Sequence, residues 1–392
     1  MNTDLLDDVR IDELESSSRP VEEAVTLPPR CYTSESFYEF ERDAVFGRGW
    51  VAIGREETIP EPGDYFTVDL AGEPLVAVRR QDGEISVMSS VCQHRAAVIV
   101  EGRGNCGNSL LCPYHAWNYG LDGKLRGAPQ MARTTAFDKD AISLPRLQVE
   151  CWHGFIFAAF DEPEQSVAEQ WERLGEFMAG YRMWEMAGPS PERFELEWNW
   201  KVMLENAAEC YHCTTLHGDL HATAPTRNTV ASPLRFEDNA FATRVRNIDI
   251  DTDFNPTGHI LLPPIPTLTE EERSHSTWLI LPPNLFISLQ HDNAHYFLVF
   301  PDGPGKSRLE VGYLYPKSTL ERSDFRERYD EVVAAFTPIM EQDTFVNERV
   351  QRGLQSRFAP RGRFSWQEEA LANFNRWLIA RFRAHLDTQG DR

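Results

Sequence analysis

The sequence predicts an α+β chain in two parts: an all-β module, then a larger domain in which an antiparallel sheet is flanked by helices. Three observations predict it. Between Trp50 and about Phe160, short β-branched runs such as Tyr65-Phe-Thr-Val-Asp-Leu and Pro74-Leu-Val-Ala-Val-Arg are punctuated by Pro-Gly, Ala-Gly-Glu and Asp-Gly turns. Four apolar runs, starting at Ser276, Asn284, Ala294 and Arg308, then follow one another as strands of an antiparallel sheet. Helical spacing marks Glu162 to Pro191 before that sheet, and Phe325 to Glu348 and Trp366 to Leu386 after it.

The chain has 392 residues, enough for two domains with a sizeable core. No run of about 18 apolar residues occurs, so no transmembrane helix is expected. The acidic start Met1-Asn-Thr-Asp-Leu-Leu-Asp-Asp lacks the basic and apolar parts of a secretory signal. A net charge of −22 argues against nucleic acid and anionic membrane as partners. Seven cysteines, an odd number with no export signal, argue against a disulfide framework. The expectation is a cytoplasmic protein whose cysteines are metal ligands or buried thiols.

In chain order, polar residues 1 to about 25 are expected to form a mobile arm. Ser34 to about Phe46 reads as a helix, capped by Thr33 or Ser34, with Phe37, Phe40, Ala44 and Val45 on its apolar face. The expected boundaries are 1–44 for arm and helix, packing with the larger domain, 45–162 for the β module, and 163–392 for the larger domain.

Inside the β module stand Cys92-Gln-His94 and, after seventeen intervening residues, Cys112-Pro-Tyr-His115. Each half offers one thiolate and one imidazole. Zinc knuckles usually open with Cys-x2-4-Cys, which is missing here. A [2Fe–2S] centre of the Rieske kind needs two cysteines on one iron and two histidines on the other, and two loops meeting tip to tip supply that set. A zinc site is the alternative. Cys106 belongs to neither half and reads as a structural thiol.

In the larger domain, Arg193 to Lys201 reads as a strand leading into a helix that carries Glu205-Asn-Ala-Ala-Glu209-Cys-Tyr-His212-Cys-Thr-Thr-Leu-His217. Glu209 and His212, three apart, would share a helical face. His217 fits that face poorly, so the helix should bend or end near Thr214–Leu216. Two imidazoles and one carboxylate form a facial triad with open positions on Fe(II). Two histidines at this spacing are also common as polar surface or satisfied core. Spacing does not separate Glu341, Asp343 and Glu348 as the third ligand. The Pro-rich, acidic stretch 247–275 reads as a lid or pocket wall. No nucleotide-binding glycine loop appears, so electrons should come from a separate reductase or ferredoxin.

Cys92-Gln-His94-Arg95 followed by Cys112-Pro-Tyr-His115-Ala-Trp117-x-Tyr119-Gly-Leu-Asp-Gly resembles the cluster-binding signature of Rieske non-haem iron oxygenase large (alpha) subunits. Asn199-Trp200-Lys201 with the Glu205 to Cys213 segment resembles one branch in particular, which acts on quaternary ammonium compounds such as glycine betaine and carnitine. Ring-hydroxylating dioxygenases usually carry Asp where this chain has Glu209. The resemblance runs from about Ser34 to Leu386.

It implies a Rieske domain joined to a catalytic domain of helix-grip type. Cys92 and Cys112 would bind one iron of the [2Fe–2S] cluster and His94 and His115 the other, with Trp117 packed nearby. His212, His217 and Asp343 would hold Fe(2+). Glu209 would be the catalytic bridge carrying electrons from a neighbouring subunit's cluster to His212, in a homotrimer, because cluster and iron within one chain would lie too far apart. The chain would be the terminal oxygenase component, taking O2, a small organic substrate and electrons from a reductase or ferredoxin. The branch implies monooxygenation beside nitrogen, hence N-dealkylation or N-demethylation. Aromatic-ring hydroxylation and non-catalytic electron transfer are the other readings. Tyr211, Phe254, Trp278, Phe286 and Phe297 are available for a cation cage, and each also fits a core.

Overall fold

The computed structural model describes residues 9–218, 220, 232–236, 240–246 and 260–390. The chain divides into two units, residues 46–167 and residues 1–45 with 168–392. The architecture is α+β, as expected. No helix among the described residues is long and apolar enough to cross a membrane.

The smaller unit is built from β1 (Val51–Arg55), β2 (Asp64–Leu70), β3 (Glu73–Arg79), β4 (Ile85–Ser89), β5 (Arg103–Asn105), β6 (Ser109–Leu111), β7 (Asn118–Gly120), β8 (Leu125–Gly127), β9 (Gln148–Trp152) and β10 (Phe155–Ala159). They form three antiparallel sheets, β1-β10-β9, β4-β3-β2-β5 and β6-β7-β8. Val76, Val78, Met88, Leu110, Tyr119 and Leu144 form a buried cluster that also encloses Cys92, Cys112 and Trp117. The two motif loops leave this core at the ends of β4 and β6, so their tips are held by packed strands.

The larger unit holds a seven-stranded antiparallel sheet of β11 (Glu192–Leu196), β12 (Ser232–Phe236), β13 (Ala240–Arg246), β14 (His275–Leu281), β15 (Leu285–Leu289), β16 (Ala294–Pro301) and β17 (Ser307–Leu314), in the order β11-β17-β16-β15-β14-β13-β12. The four apolar runs are its middle strands. Every residue of β15 is buried, which is why these runs lack polar alternation. The long helix Phe325–Leu354 runs through Pro338 without a break.

Two expectations fail here. Residues 9–25 are packed rather than mobile: Val9, Leu14, Val21 and Ala24 are buried. Arg361 ties this segment down by donating to the hydroxyls of Ser16 and Ser17 and to the Thr26 carbonyl. Residues 1–8 lie outside the described part. The single helix read over 162–191 is broken into Val167–Gln170 and Glu172–Met178, with Arg182 in the left-handed region at φ 49°. Of the stretch 247–275, residues 247–259 lie outside the described part. The rest packs Leu262, Ile265 and Leu268 inward and ends in the turn Glu270–Arg273, capped by Thr269.

The helix Trp200–Ala207, which leads into the histidine segment, is pinned by a buried ion pair. Lys201 and Glu41 are 0% and 1% exposed, and Lys201 Nζ donates to both Glu41 oxygens at 2.8 Å. Trp200 Nε1 donates to the same carboxylate at 2.7 Å. Lys201→Met leaves Glu41 buried without its counter-charge and should destabilise the fold by about 3–5 kcal/mol. The double change Lys201→Met with Glu41→Leu should recover most of that. Urea unfolding of both variants checks this: equal losses would mean that the charge pair is not the anchor.

Candidate functional site: two metal-ligand constellations

The two loops of the smaller unit fold alike. Cys92 N donates to Ala97 O at 2.9 Å and Ala96 N to Cys92 O at 3.0 Å; Cys112 N donates to Trp117 O at 2.8 Å and Ala116 N to Cys112 O at 3.1 Å. Ala96 and Ala116 both take positive φ, 56° and 57°. Two non-glycine residues held there at equivalent places mark loops shaped by something other than local preference. The His94 and His115 rings lie 4.7 Å apart between centroids, and His94 stacks on Trp117 at 4.7 Å and 7°.

Both Nδ1 atoms are buried without a hydrogen-bond partner among the described residues, and Cys92 and Cys112 are buried free thiols. Two orphaned imidazole nitrogens and two free thiols on this pair of loops fit the donor set of a [2Fe–2S] centre. No three of the four bring ligand atoms within 4.8 Å of one another, so they do not surround a single ion such as zinc. The Tyr119 hydroxyl lies 3.3 Å from Cys92 Sγ and accepts from Gln93 N at 3.0 Å, which leaves its proton for the sulfur. Cys106 instead donates to Gly63 O at 3.3 Å.

In the larger unit, His212, His217 and Asp343 bring their ligand atoms within 4.8 Å of one another. Asp343 Oδ1 is 3.1 Å from His217 Nε2 and 3.6 Å from His212 Nε2. Each histidine turns its other nitrogen outward: His212 Nδ1 donates to Glu209 Oε1 at 2.5 Å and His217 Nδ1 to Gln342 Oε1 at 2.7 Å. Such partners fix ring orientation and leave both Nε2 atoms free for a metal. Two imidazoles and a carboxylate on one side of an ion are the donor set of a mononuclear Fe(II) with open positions. Asn206 Nδ2 donates to Asp343 Oδ1 at 3.4 Å. Of the two other carboxylates the sequence offered as third ligand, Glu341 and Glu348 are exposed and outside the group.

The local fold differs from the single helix expected. The helix ends at Ala207, and a separate turn, Cys213–Leu216, delivers His217 at its end. Glu209 and His212 therefore meet across a turn. The Glu209 carboxylate accepts the amides of Tyr211 and His212, so it shapes the turn that it also uses to hold the ring. Cys210 and Cys213 are joined by a disulfide, which corrects the expectation that every cysteine is a ligand or a free buried thiol. Three-residue spacing across this turn brings their Cα atoms to 4.9 Å, inside bridging range.

A pocket of about 90 Å3 opens against the triad. Trp278, Phe286 and Phe297 line it, as does Phe336, which the sequence reading missed. Tyr211 is 55% exposed and is not part of the wall, and Phe254 lies outside the described residues. His295 also lines the pocket; burial pushes its imidazole down to about 4, so it stays neutral. Gln342, Asn206, Phe336 and His295 carried no spacing signal. Only the adjacency of Gln342 to Asp343 could have drawn attention.

Comparison with known proteins follows the same division. Residues 49–158 match the Rieske [2Fe–2S] domain, and residues 182–384 match the family of ring-hydroxylating alpha subunits, catalytic domain. The chain is 28% identical over 351 residues to the carnitine monooxygenase oxygenase subunit of Acinetobacter baumannii, covering 85% of this chain and 86% of that protein. It is 26% identical over 368 residues to the chloroplastic choline monooxygenase of Atriplex hortensis, covering 92% and 78%. The crystal structure of the quaternary ammonium Rieske monooxygenase CntA with L-carnitine superposes with a TM-score of 0.77 at 22% identity, covering 96% of this chain and 99% of that one.

Proposed function

Given that this chain belongs to the family of Rieske oxygenase alpha subunits, an oxidoreductase carrying a [2Fe–2S] cluster and a mononuclear Fe(2+), we propose that it is a monooxygenase of N-alkyl or quaternary ammonium compounds. Enzymes of this family require a small-molecule substrate, O2 and an electron donor. The proposed ligands are Cys92, Cys112, His94 and His115 for the cluster, and His212, His217 and Asp343 for the iron. When bound, the cluster supplies single electrons and the iron activates O2.

The observation that carries the substrate reading is the wall of the triad pocket. Its faces are aromatic, Trp278, Phe286, Phe297 and Phe336, and its charged groups are the Glu209 and Asp343 carboxylates. Neither Lys nor Arg occurs among its described lining residues. Aromatic faces with no competing cationic side chain attract an alkylated ammonium ion. The likeness to enzymes of carnitine and of choline supports the same class.

The chain's own residues then do three things. The aromatic walls hold the substrate with one N-alkyl carbon toward the triad and keep water away. Glu209 and Gln342 hold the two imidazoles in the tautomer that leaves Nε2 free. Neutral His295 adds no charge against a cation. In the net reaction one oxygen atom enters the C–H bond beside nitrogen and the other leaves as water, with two electrons and two protons consumed. The carbinolamine then collapses to an amine and an aldehyde. The chain is proposed to work as a homotrimer with a separate reductase or ferredoxin, Glu209 linking His212 to the partner subunit's His115.

The test is aldehyde release during coupled turnover with a reductase, NADH and O2, across N-methyl cations, neutral N-alkyl compounds and simple aromatics. Stoichiometric aldehyde from an N-alkyl compound is the expected result. Oxygen uptake with a ring-hydroxylated product and no aldehyde would move the chain to the aromatic hydroxylases.

A further inference from the structure

The polar side chains that line the triad pocket are nearly all engaged. Glu209 holds His212, Asp343 stands in the triad, and Asn206 is turned to Asp343. Gln290 accepts from the Ser276 hydroxyl at 2.6 Å and donates to the Ser288 hydroxyl at 2.7 Å, so both ends of its amide are taken. His295 is the exception. It lines the same pocket from β16, is 8% exposed, and lies outside the metal-ligand group. Its ring makes no hydrogen bond among the described residues.

The two ring nitrogens differ. Nδ1 is fully covered, and the exposure that remains to the ring lies toward Nε2. Phe297, Tyr313 and Phe336 stand around the ring at 5.9, 5.6 and 5.7 Å between centroids, and Phe297 and Phe336 are themselves walls of the pocket. The imidazole is thus wedged among apolar faces with one nitrogen left to the cavity. Orphaned N–H groups are rarer in protein interiors than under-satisfied acceptors, which puts the proton on Nε2 rather than on the covered Nδ1. Burial pushes the imidazole down to about 4, and no charged group contributes to that shift. The result is one uncharged donor at a fixed point of an aromatic pocket.

We propose that His295 is the specificity-determining residue of the pocket: its Nε2–H donates to an oxygen, of a hydroxyl or a carboxylate, carried on one arm of the ammonium substrate. The proposal rests on the N-alkyl reading above and narrows it to oxygen-bearing compounds. Ring faces attract a cation with little directional preference. A hydrogen bond at one point fixes how the molecule is turned, and so whether an N-methyl carbon or an arm carbon faces the triad. A compound without the oxygen leaves the donor unpaired, and that is the source of the discrimination.

The experiment is anaerobic titration calorimetry of the metal-loaded protein with three probes of similar size: propyl-, 2-hydroxyethyl- and carboxymethyl-trimethylammonium. The quantity read is the Kd of the propyl probe divided by that of an oxygen-bearing probe. For at least one of the two oxygens this ratio should be about tenfold larger in the native protein than in His295→Phe, and the oxygen that shows it is the one the residue takes. The propyl probe should bind both proteins alike. His295→Leu makes the same comparison with a smaller side chain, and His295→Gln, which keeps an amide donor, should retain part of the gain. A ratio unchanged in His295→Phe and His295→Leu, with melting temperatures unchanged, would overturn the assignment and leave the N-alkyl reading standing. Equal weakening of all three probes would reduce His295 to packing and overturn it too. Failure of every cation to bind the native protein, at full metal content, would overturn the N-alkyl reading itself.

Discussion

Asp343→Ala is expected to abolish oxygenation, by at least about a thousandfold, while the chain keeps its cluster. The carboxylate stands between two imidazoles, 3.1 Å and 3.6 Å from their Nε2 atoms. Its neighbours Asn206 and Gln342 are neutral amides already engaged with Asp343 and His217, and they do not replace an anionic ligand. Two imidazoles alone hold Fe(II) weakly. Iron content should therefore fall from about three to about two per chain, with the visible spectrum of the cluster unchanged. Glu341→Ala, two positions away, should keep all of its iron. Equal iron loss in both variants, or full iron in Asp343→Ala, would remove Asp343 from the ligand set.

Glu209→Gln is expected to leave both metals bound and slow coupled turnover by about a hundredfold. The carboxylate uses both oxygens as acceptors: Oε1 takes the His212 Nδ1 proton, and Oε2 takes the amides of Tyr211 and His212. Glutamine has one accepting oxygen, and its NH2 group would face donors. Either the ring or the turn then loses its partner, and the negative charge beside the ring is gone. Iron analysis and oxidation of the reduced cluster, followed in the presence of substrate and O2, separate two roles. A slow cluster step with full iron content supports the bridge. A normal cluster step with a lowered melting temperature reduces Glu209 to a turn-forming residue.

How much of this was legible in the sequence depends on how far apart the cooperating residues lie. The cluster constellation was legible because each half is local. Cys-x-His and Cys-x-x-His fix one thiol and one imidazole on a single turn, and the β-branched runs around them announce the strands that hold the turns. His212 and His217 were legible for the same reason. Glu209 was found on the premise of a continuous helix. The chain breaks that helix after Ala207 and reaches the same contact through a turn, in which the Glu209 carboxylate takes up the amides of Tyr211 and His212.

The third ligand shows the limit. Periodicity treats Glu341, Asp343 and Glu348 alike, since each is an acidic residue on one long helix. Resemblance to a family picked Asp343, and only the packing of that helix against the histidine segment separates it from the other two.

By itself the sequence determined the fold class, the two metal-binding chemistries and most of the residues proposed as ligands, because short-range spacing and hydrophobic period survive in one dimension. Tertiary structure alone decided what surrounds them. Gln342 orients His217 from 125 residues away, and Phe336 closes the aromatic wall from the same long helix. His295 reaches the same pocket from β16 and packs beside Phe336. The Cys210–Cys213 bridge spans the turn between the helix end at Ala207 and the turn Cys213–Leu216. Each of these depends on which faces pack together, and that is settled by burial across the whole unit rather than by any local run of residues.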